Sequence, residues 1–478
     1  MAELKSAELK SAGLSLEPVA GWGRHPVERG AVARPERLQL PPDGRPVLPR
    51  GLGRSYGDAA VPAAPGALIL ETARADRVVA FDRERGTLTC EAGLSLAEIL
   101  RVFLPRGWFP PVTPGTKFVT VGGCVACDVH GKNHHRDGSF GHFVDRLVLQ
   151  VADGSVVECG PARERELFLA TIGGMGLTGL ITEVTLRLQP VESAWMVVET
   201  EPVPGLGAML DGLWDAGKDW PYTVGWIDCL ARGAALGRGI LMRGRHASQA
   251  EAPAGPPPEP RRLAVPFDAP EWLLSPVLMR GFNAAYYWKH AWWKHAWWKH
   301  AWWSHARRTP ARRTRGAARP VPYHGFFYPL DAIGDWNRLY GRRGFLQYQC
   351  VVPRAAGAPA VAELLERVVE AGTASFLAVI KDCGPESDAY LSFPLEGTTL
   401  ALDLPYRGAR TEALVHELNA TVIAAGGRVY LAKDAVTRPE DFALMVPRLA
   451  EWRKVRDRWD PEHRFRSAQS VRVLGDTP

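Results

Sequence analysis

Residues 114–141 read PGTKFVTVGGCVACDVHGKNHHRDGSFG, and this stretch decides how the rest of the chain is read. Six glycines, three histidines and two cysteines fall within 28 residues that show no regular hydrophobic period. Neither a helical stripe nor a strand alternation accommodates them. Glycine permits close backbone approach, so the segment reads as chain laid over a bound cofactor. Cys124-Val125-Ala126-Cys127 has a spacing used for zinc and thiol redox sites, but no second CxxC exists. Because the pair sits in a Gly-rich loop rather than opening a helix, packing cysteines are expected. His130, His134 and His135 lack an acidic partner at a ligand spacing such as HExxH. No metal is expected, and at least one of these histidines is assigned to a cofactor or substrate pocket.

Working outward, 478 residues exceed one compact core and imply two or three domains. A hydrophobic content of 46% and charged content of 23% suit a soluble enzyme with a large buried site. The net charge of +6 is compatible with an anionic substrate or lipid headgroup and equally with plain solubility, so it decides nothing. Seven widely spread cysteines argue for a reducing compartment. No run approaches the roughly 20 apolar residues of a membrane span, and the N-terminal AELKSAELKSAGL has no apolar signal region. A cytoplasmic protein is expected, with peripheral attachment at the inner face of the membrane as the variant.

Residues 46–64, PVLPRGLGRSYGDAAVPAA, are predicted to be loop because Pro and Gly forbid helix. Strands are predicted at Leu68–Glu71, Val78–Phe81 and Thr87–Glu91, and a helix capped by Ser95 and Glu98 runs to about Leu104. Asp153-Gly154 signals a type I′ hairpin between Leu147–Val151 and Val156–Cys159. A helix over 163–172 and a strand over 181–188 close this unit. Beyond Trp195 the texture changes to strands with a helix at 360–371, followed by a helix at 411–425 and a mixed tail. WKHAW occurs three times in 288–302, and 307–319 adds six arginines without an acidic residue. A five-residue step puts no common face on a helix or strand. The tract from 285 to 319 therefore reads as a mobile insertion and a candidate membrane contact, rather than a nucleic-acid or metal site.

Gly174-x-Gly176-x-x-Gly179 has the dinucleotide pattern in the wrong context, with a helix before it and a strand after. NAD is rejected. Gly51-x-Gly53-Arg54-Ser55-Tyr56-Gly57-Asp58 lacks the Gly-Lys-Ser/Thr of a phosphate-binding P-loop, yet its backbone suits a diphosphate nest. Taken together, GWGR at 21–24, GLGRSYGD at 51–58, the 114–141 segment, GLTGLI at 176–181, GFLQYQ at 344–349 and YLAKD at 430–434 are a specific signature. The chain resembles the decaprenylphosphoryl-β-D-ribose 2′-oxidase family of the vanillyl-alcohol-oxidase superfamily over nearly its whole length. The exceptions are the N-terminal repeat and residues from about 250 to 320.

The resemblance implies an α+β, two-domain flavoprotein. Its FAD domain, of two α/β subdomains, takes residues 1–192 and a C-terminal return at 428–478. Between them, 193–427 would form an antiparallel-sheet substrate domain with the mobile insertion at about 250–320. By position, Gly51, Leu52, Gly53, Arg54, Ser55, Tyr56, Gly57, Asp58 and Ala59 would hold the FAD diphosphate. Gly115, Thr116, Thr120, Val121, Gly122, Gly123, Cys127, Asp128, Val129, His130, Ile181 and Tyr430 would line the cofactor. Arg54 stands where related covalent flavoproteins carry a histidine, so FAD is expected to be non-covalent.

The implied reaction oxidises the 2′-hydroxyl of a lipid-linked phosphoribose, and a separate NAD(P)H-dependent short-chain reductase completes the epimerisation to an arabinose donor. Such chemistry needs a base and a positive group. Lys433 is assigned to one of these roles, with Tyr56 and His130 beside it, and its competing structural role is a salt bridge to Asp434. Gln347, Gln349, Lys381, Lys132 and Thr399 would contact sugar or phosphate, although Thr399 and Ala401 replace an Asn and a Cys that the family can carry. Oxidation of an alditol or sugar lactone is the competing activity, and a non-catalytic membrane or nucleic-acid binding protein is the third.

Overall fold

The computed structural model describes residues 14–260, 263–301, 318–373 and 376–478. The N-terminal AELKS repeat and the arginine-rich stretch 302–317 lie outside the described residues.

Among the described residues, three larger sheets organise the chain. The first has Ser15–Ala20, Val27–Ala33, Leu68–Glu71 and Val47–Arg50 in that spatial order, the last three parallel to one another. Val47–Arg50 corrects the expectation of loop throughout 46–64. Its Pro49 is tolerated because the strand lies at the sheet edge. The second sheet is antiparallel, ordered Val78–Asp82, Thr87–Glu91, Leu180–Arg187, Val144–Gln150 and Val156–Cys159. Gly154 takes a positive φ but Asp153 does not, so the turn is not the type I′ predicted. The short helix Val121–Ala126 packs on this sheet, with Cys124 and Val125 fully buried. This corrects the placing of the Cys124 and Cys127 pair in a Gly-rich loop. Thr120 caps the helix by accepting the Gly123 N–H at 3.1 Å, a local device that outweighs two interior glycines. All seven cysteines are free.

The third sheet has eight antiparallel strands, in the order Arg319–Pro322, Trp195–Val203, Gly239–His246, Tyr222–Ile227, Ala378–Cys383, Gly397–Pro405, Phe345–Pro353 and Arg428–Val429. Strand alternation gives this sheet two unlike faces. Leu346, Tyr348, Cys350, Ile380, Leu400, Leu402 and Leu404 join one core with Leu364 and Val368 of the helix Gly357–Ala371 and Leu414 and Leu418 of the helix Ala409–Ala424. The opposite face carries Gln347 paired in register with Asp403, Gln349 with Ala401, and Lys381 with Thr399. Polar side chains thus converge because each alternates with a residue the helices bury.

The tail ties the sheets together. Arg428–Val429 completes the large sheet, while Phe465 bridges to Val47 of the first sheet. Residues 276–301, expected within a mobile insertion, form one continuous helix. Asn283 on that helix is fully buried and donates to Asp228, which also pairs with Arg238.

Candidate active site

The loop 51–58 lies between two other motif segments. Trp22 N–H donates to the Ser55 carbonyl at 2.7 Å and Gly23 N–H to that of Tyr56 at 3.0 Å. On the other side Tyr56 N–H donates to the Ala432 carbonyl at 2.8 Å. A Cβ on Gly57 would lie 1.7 Å from the Asp434 carbonyl oxygen, so only glycine fits against YLAKD. Asp58 turns away from the loop mouth, pairing with Arg472 at 2.8 Å. Arg472 also takes Asp434 at 2.8 Å. The expected competing bridge between Lys433 and Asp434 is therefore absent, and Arg472, unnoticed in the sequence, explains why.

Freed of Asp434, the Lys433 ammonium lies 3.6 Å from the centre of the Tyr56 ring. Burial lowers its pKa to about 7, with Asp403 opposing that shift and Lys381 adding to it. Asp403 is itself fully buried. It accepts from Gln347 Nε2 at 2.5 Å and from the Tyr340 hydroxyl at 2.9 Å, and burial raises its pKa to about 7. Burial likewise holds the Tyr56 phenol well above its ordinary range.

His130 completes this face. Its Nε2 meets Gln349 Nε2 at 2.8 Å, and Gln349 also donates to Thr399 Oγ1 at 3.2 Å. The ring stands 5.1 Å from that of Tyr430, whose hydroxyl donates to the Cys127 carbonyl at 2.9 Å. Burial first, then Lys381, His134 and Lys433, push the imidazole well below its ordinary pKa, so it is neutral. His134 Nδ1 accepts the Gly384 N–H and His135 Nε2 meets the Trp220 carbonyl, so these two brace the segment. Lys132 Nζ donates to the Phe327 carbonyl at 3.1 Å and Lys381 Nζ to that of Gly131 at 3.5 Å. Burial and then Lys381 bring Lys132 down to about 7.

Several residues expected along the cofactor have their polar groups engaged by protein. Val121 and Gly122 N–H donate to the carbonyls of Leu94 and Ala92. Ile181 belongs to the core of the second sheet, Ala59 is buried in the main core, and Leu52 is exposed. The Thr116 hydroxyl accepts the Phe118 N–H, and the Val129 carbonyl accepts the Phe140 N–H. Asp128 accepts from Ser139, Gly141 N–H and Ser392, closing the 128–141 turn. Thr399 donates to the Cys350 carbonyl at 2.9 Å.

Other groups stand open to a ligand. A Cβ on Gly115 would meet nothing within 4 Å, whereas one on Gly53 would meet the Arg50 guanidinium. Arg54 stacks on Trp22 at 4.0 Å with its Nε lacking a partner, and His130 Nδ1 is buried without one. Together with Lys433, half-buried and making no salt bridge among the described residues, these fit an anionic, flat, hydrogen-bonding group such as FAD. Among the described residues no cluster of His, Cys, Asp and Glu could hold a metal.

The fold and this site define a two-domain flavoprotein oxidoreductase of the vanillyl-alcohol-oxidase type, dependent on FAD. Residues 40–160 match the FAD binding domain family, and 342–473 match the D-arabinono-1,4-lactone oxidase family. A decaprenylphosphoryl-beta-D-ribose oxidase from Mycolicibacterium smegmatis is 36% identical over 435 residues, 90% of this chain and 89% of the relative. A Streptomyces coelicolor protein of the mprA 5′ region is 34% identical over 391 residues, 80% of this chain and 100% of the relative. Delta(24)-sterol reductase of Rattus norvegicus is 28% identical over 134 residues, only 28% of this chain and 26% of the relative. The chain belongs to the decaprenylphosphoryl-β-D-ribose oxidase family.

Proposed function

We propose that this protein oxidises the 2′-hydroxyl of a polyprenylphosphoryl-β-D-ribose to the ketone. The domain division at 192 and 427 and the roles that follow are part of this proposal. FAD, when bound, supplies the acceptor for the hydride that leaves the carbinol carbon. Lys433, with a pKa near 7, has a substantial neutral fraction at physiological pH and takes the hydroxyl proton. Neutral His130, fixed by Gln349, holds the sugar by hydrogen bonding, while Tyr56 walls the base and limits water. The ketone would then pass to a separate NAD(P)H-dependent reductase, giving an arabinose donor for cell-envelope glycan.

The observation that carries this reading is the pair of ammoniums of Lys132, on the Phe327 carbonyl, and Lys381, on the Gly131 carbonyl. The two ammoniums repel, and among the described residues no carboxylate pairs with either. A substrate phosphate relieves that repulsion, which an uncharged alditol cannot do. The lactone-oxidase match over 342–473 favours the second reading, a soluble alditol or sugar-lactone oxidase. Steady-state kinetics with phosphorylated and dephosphorylated ribosyl lipid distinguish the two. Loss of the phosphate should raise KM at least tenfold in the parent and little in K132M/K381M; equal KM values for both substrates in the parent contradict the proposal.

The flavin is taken to be non-covalent because Arg54, packed on Trp22, offers no nucleophile on the 51–58 loop. Burial also pushes the nearby Cys127 thiol up to about 11. Acid precipitation should leave the yellow colour in the supernatant; colour retained in the pellet contradicts this.

A further inference from the structure

Over its described side chains, 276–291, the helix Pro276–Ala301 is anchored on one side. Met279, Asn283 and Tyr287, at i, i+4 and i+8, are buried, and Tyr286 and Tyr287 join a small core with Trp226 and Ile240. The opposite arc presents Val277, Leu278, Phe282 and Trp288, of which Val277 is 75% exposed. Just upstream, Phe267 and Trp272 are each 66% exposed. Isolated exposed apolar residues are ordinary, but a run of this kind marks an interaction surface.

Charge selects the partner. Between Glu271 and Asp331 the sequence has ten lysines and arginines and no acidic residue. Arg280 and Lys289 are exposed beside the apolar arc. A symmetric dimer through this face would set Arg280 and Lys289 against their own copies. An anionic bilayer accepts both features, with Trp and Phe at the interfacial depth and Lys and Arg at the headgroups. Among the described residues no helix is long and apolar enough to cross a membrane, so the helix would lie in the surface plane.

We propose that this face docks the protein onto an anionic lipid surface. The contact also has a direction relative to the site. Trp226, packed on the helix, lies in the strand Tyr222–Ile227, which pairs with Val379 and Ile380 next to Lys381. Thr223 of the same strand donates its N–H to the Lys132 carbonyl. One strand therefore separates the docking helix from the two lysines, so a lipid-linked phosphate would reach them with its tail still in the bilayer. This last step rests on the phosphosugar reading; the docking itself does not.

Co-sedimentation of the flavin-loaded full chain with vesicles tests it, using phosphatidylcholine alone or mixed with phosphatidylglycerol. Binding is expected only to the anionic vesicles. It should weaken at least tenfold in V277S/F282S/W288S and in R280E/K289E, with flavin absorbance unchanged. Unchanged binding in both variants overturns the proposal, as does a parent that stays in the supernatant. It is also overturned if the triple variant abolishes a concentration-dependent dimer, or single-stranded nucleic acid binding, while vesicle binding persists. No turnover is measured, so failure here leaves the phosphosugar reading standing, and the reverse.

Discussion

Two segments of this chain invert the usual relation between pattern and order. Residues 114–141 have no period, yet they are held from many directions: Asp128 by Ser139, Ser392 and Gly141, His130 by Gln349, His134 by Gly384. Residues 276–301 carry an obvious repeat and form a regular helix, yet among its described side chains only one side is gripped, chiefly by Asn283 on Asp228. Polar side chains with fixed partners define a site whose secondary structure is confined to short helices. A regular helix with an unpartnered apolar face presents a surface for something else.

That contrast can be broken by substitution, and the largest effect is expected at the chemistry the irregular segment faces. Lys433→Ala should keep its flavin spectrum and lose about 10³-fold in kcat, as removal of a general base does. The parent's kcat should fall as pH drops through about 7, because protonated Lys433 cannot accept the hydroxyl proton. A rate that instead falls as pH rises assigns Lys433 to charge stabilisation. Asp403→Asn removes the buried carboxylate facing Lys433 while keeping a partner for Gln347 and Tyr340. It should shift the pH midpoint of kcat downward, because Asp403 raises the Lys433 pKa; an unmoved midpoint denies that coupling.

Smaller effects follow away from the base. Asp128→Ala leaves three buried donors without an acceptor and should cost about 3 kcal/mol, read as a lower flavin-release temperature. Arg472→Ala leaves Asp58 and Asp434 unpaired. Because the arginine is 22% exposed, the loss should fall below the roughly 3–5 kcal/mol of a fully buried pair, measured by denaturant unfolding. Asn283→Ala should cost about 1 kcal/mol and raise hydrogen exchange in 276–291 with flavin binding unchanged. If Asp128→Ala loosens only its own turn and Asn283→Ala releases the flavin, the contrast between the segments is wrong.

Local patterns in the sequence were sufficient where partners are near. Leu68–Glu71 and Thr87–Glu91 fall where alternation and turn residues put them, and Ser95 caps its helix by accepting the Glu98 N–H. Val47–Arg50 was missed because its proline reads as loop, whereas its strand pairing depends on Leu68–Glu71, a partner some 20 residues on. The helix over 121–126 was hidden by its glycines, and Thr120 was the available sign of it. In the site, the motif residues could be named from sequence, but Asp403, Tyr340 and Arg472 could not. Asp403 and Arg472 act on motif residues tens to hundreds of positions away and Tyr340 acts through Asp403, and only the alternation Thr399, Ala401, Asp403 hinted that Asp403 shares a face with Gln347.

Anaerobic titration of the flavoprotein tests the assignment of substrate most directly. Polyprenylphosphoryl-β-D-ribose should bleach the oxidised flavin band to completion at one equivalent, while xylitol and D-arabinono-1,4-lactone leave it unchanged. Bleaching by the lactone or alditol, with the phosphoribosyl lipid inert, would contradict the phosphosugar site built around Lys132, Lys381 and Lys433.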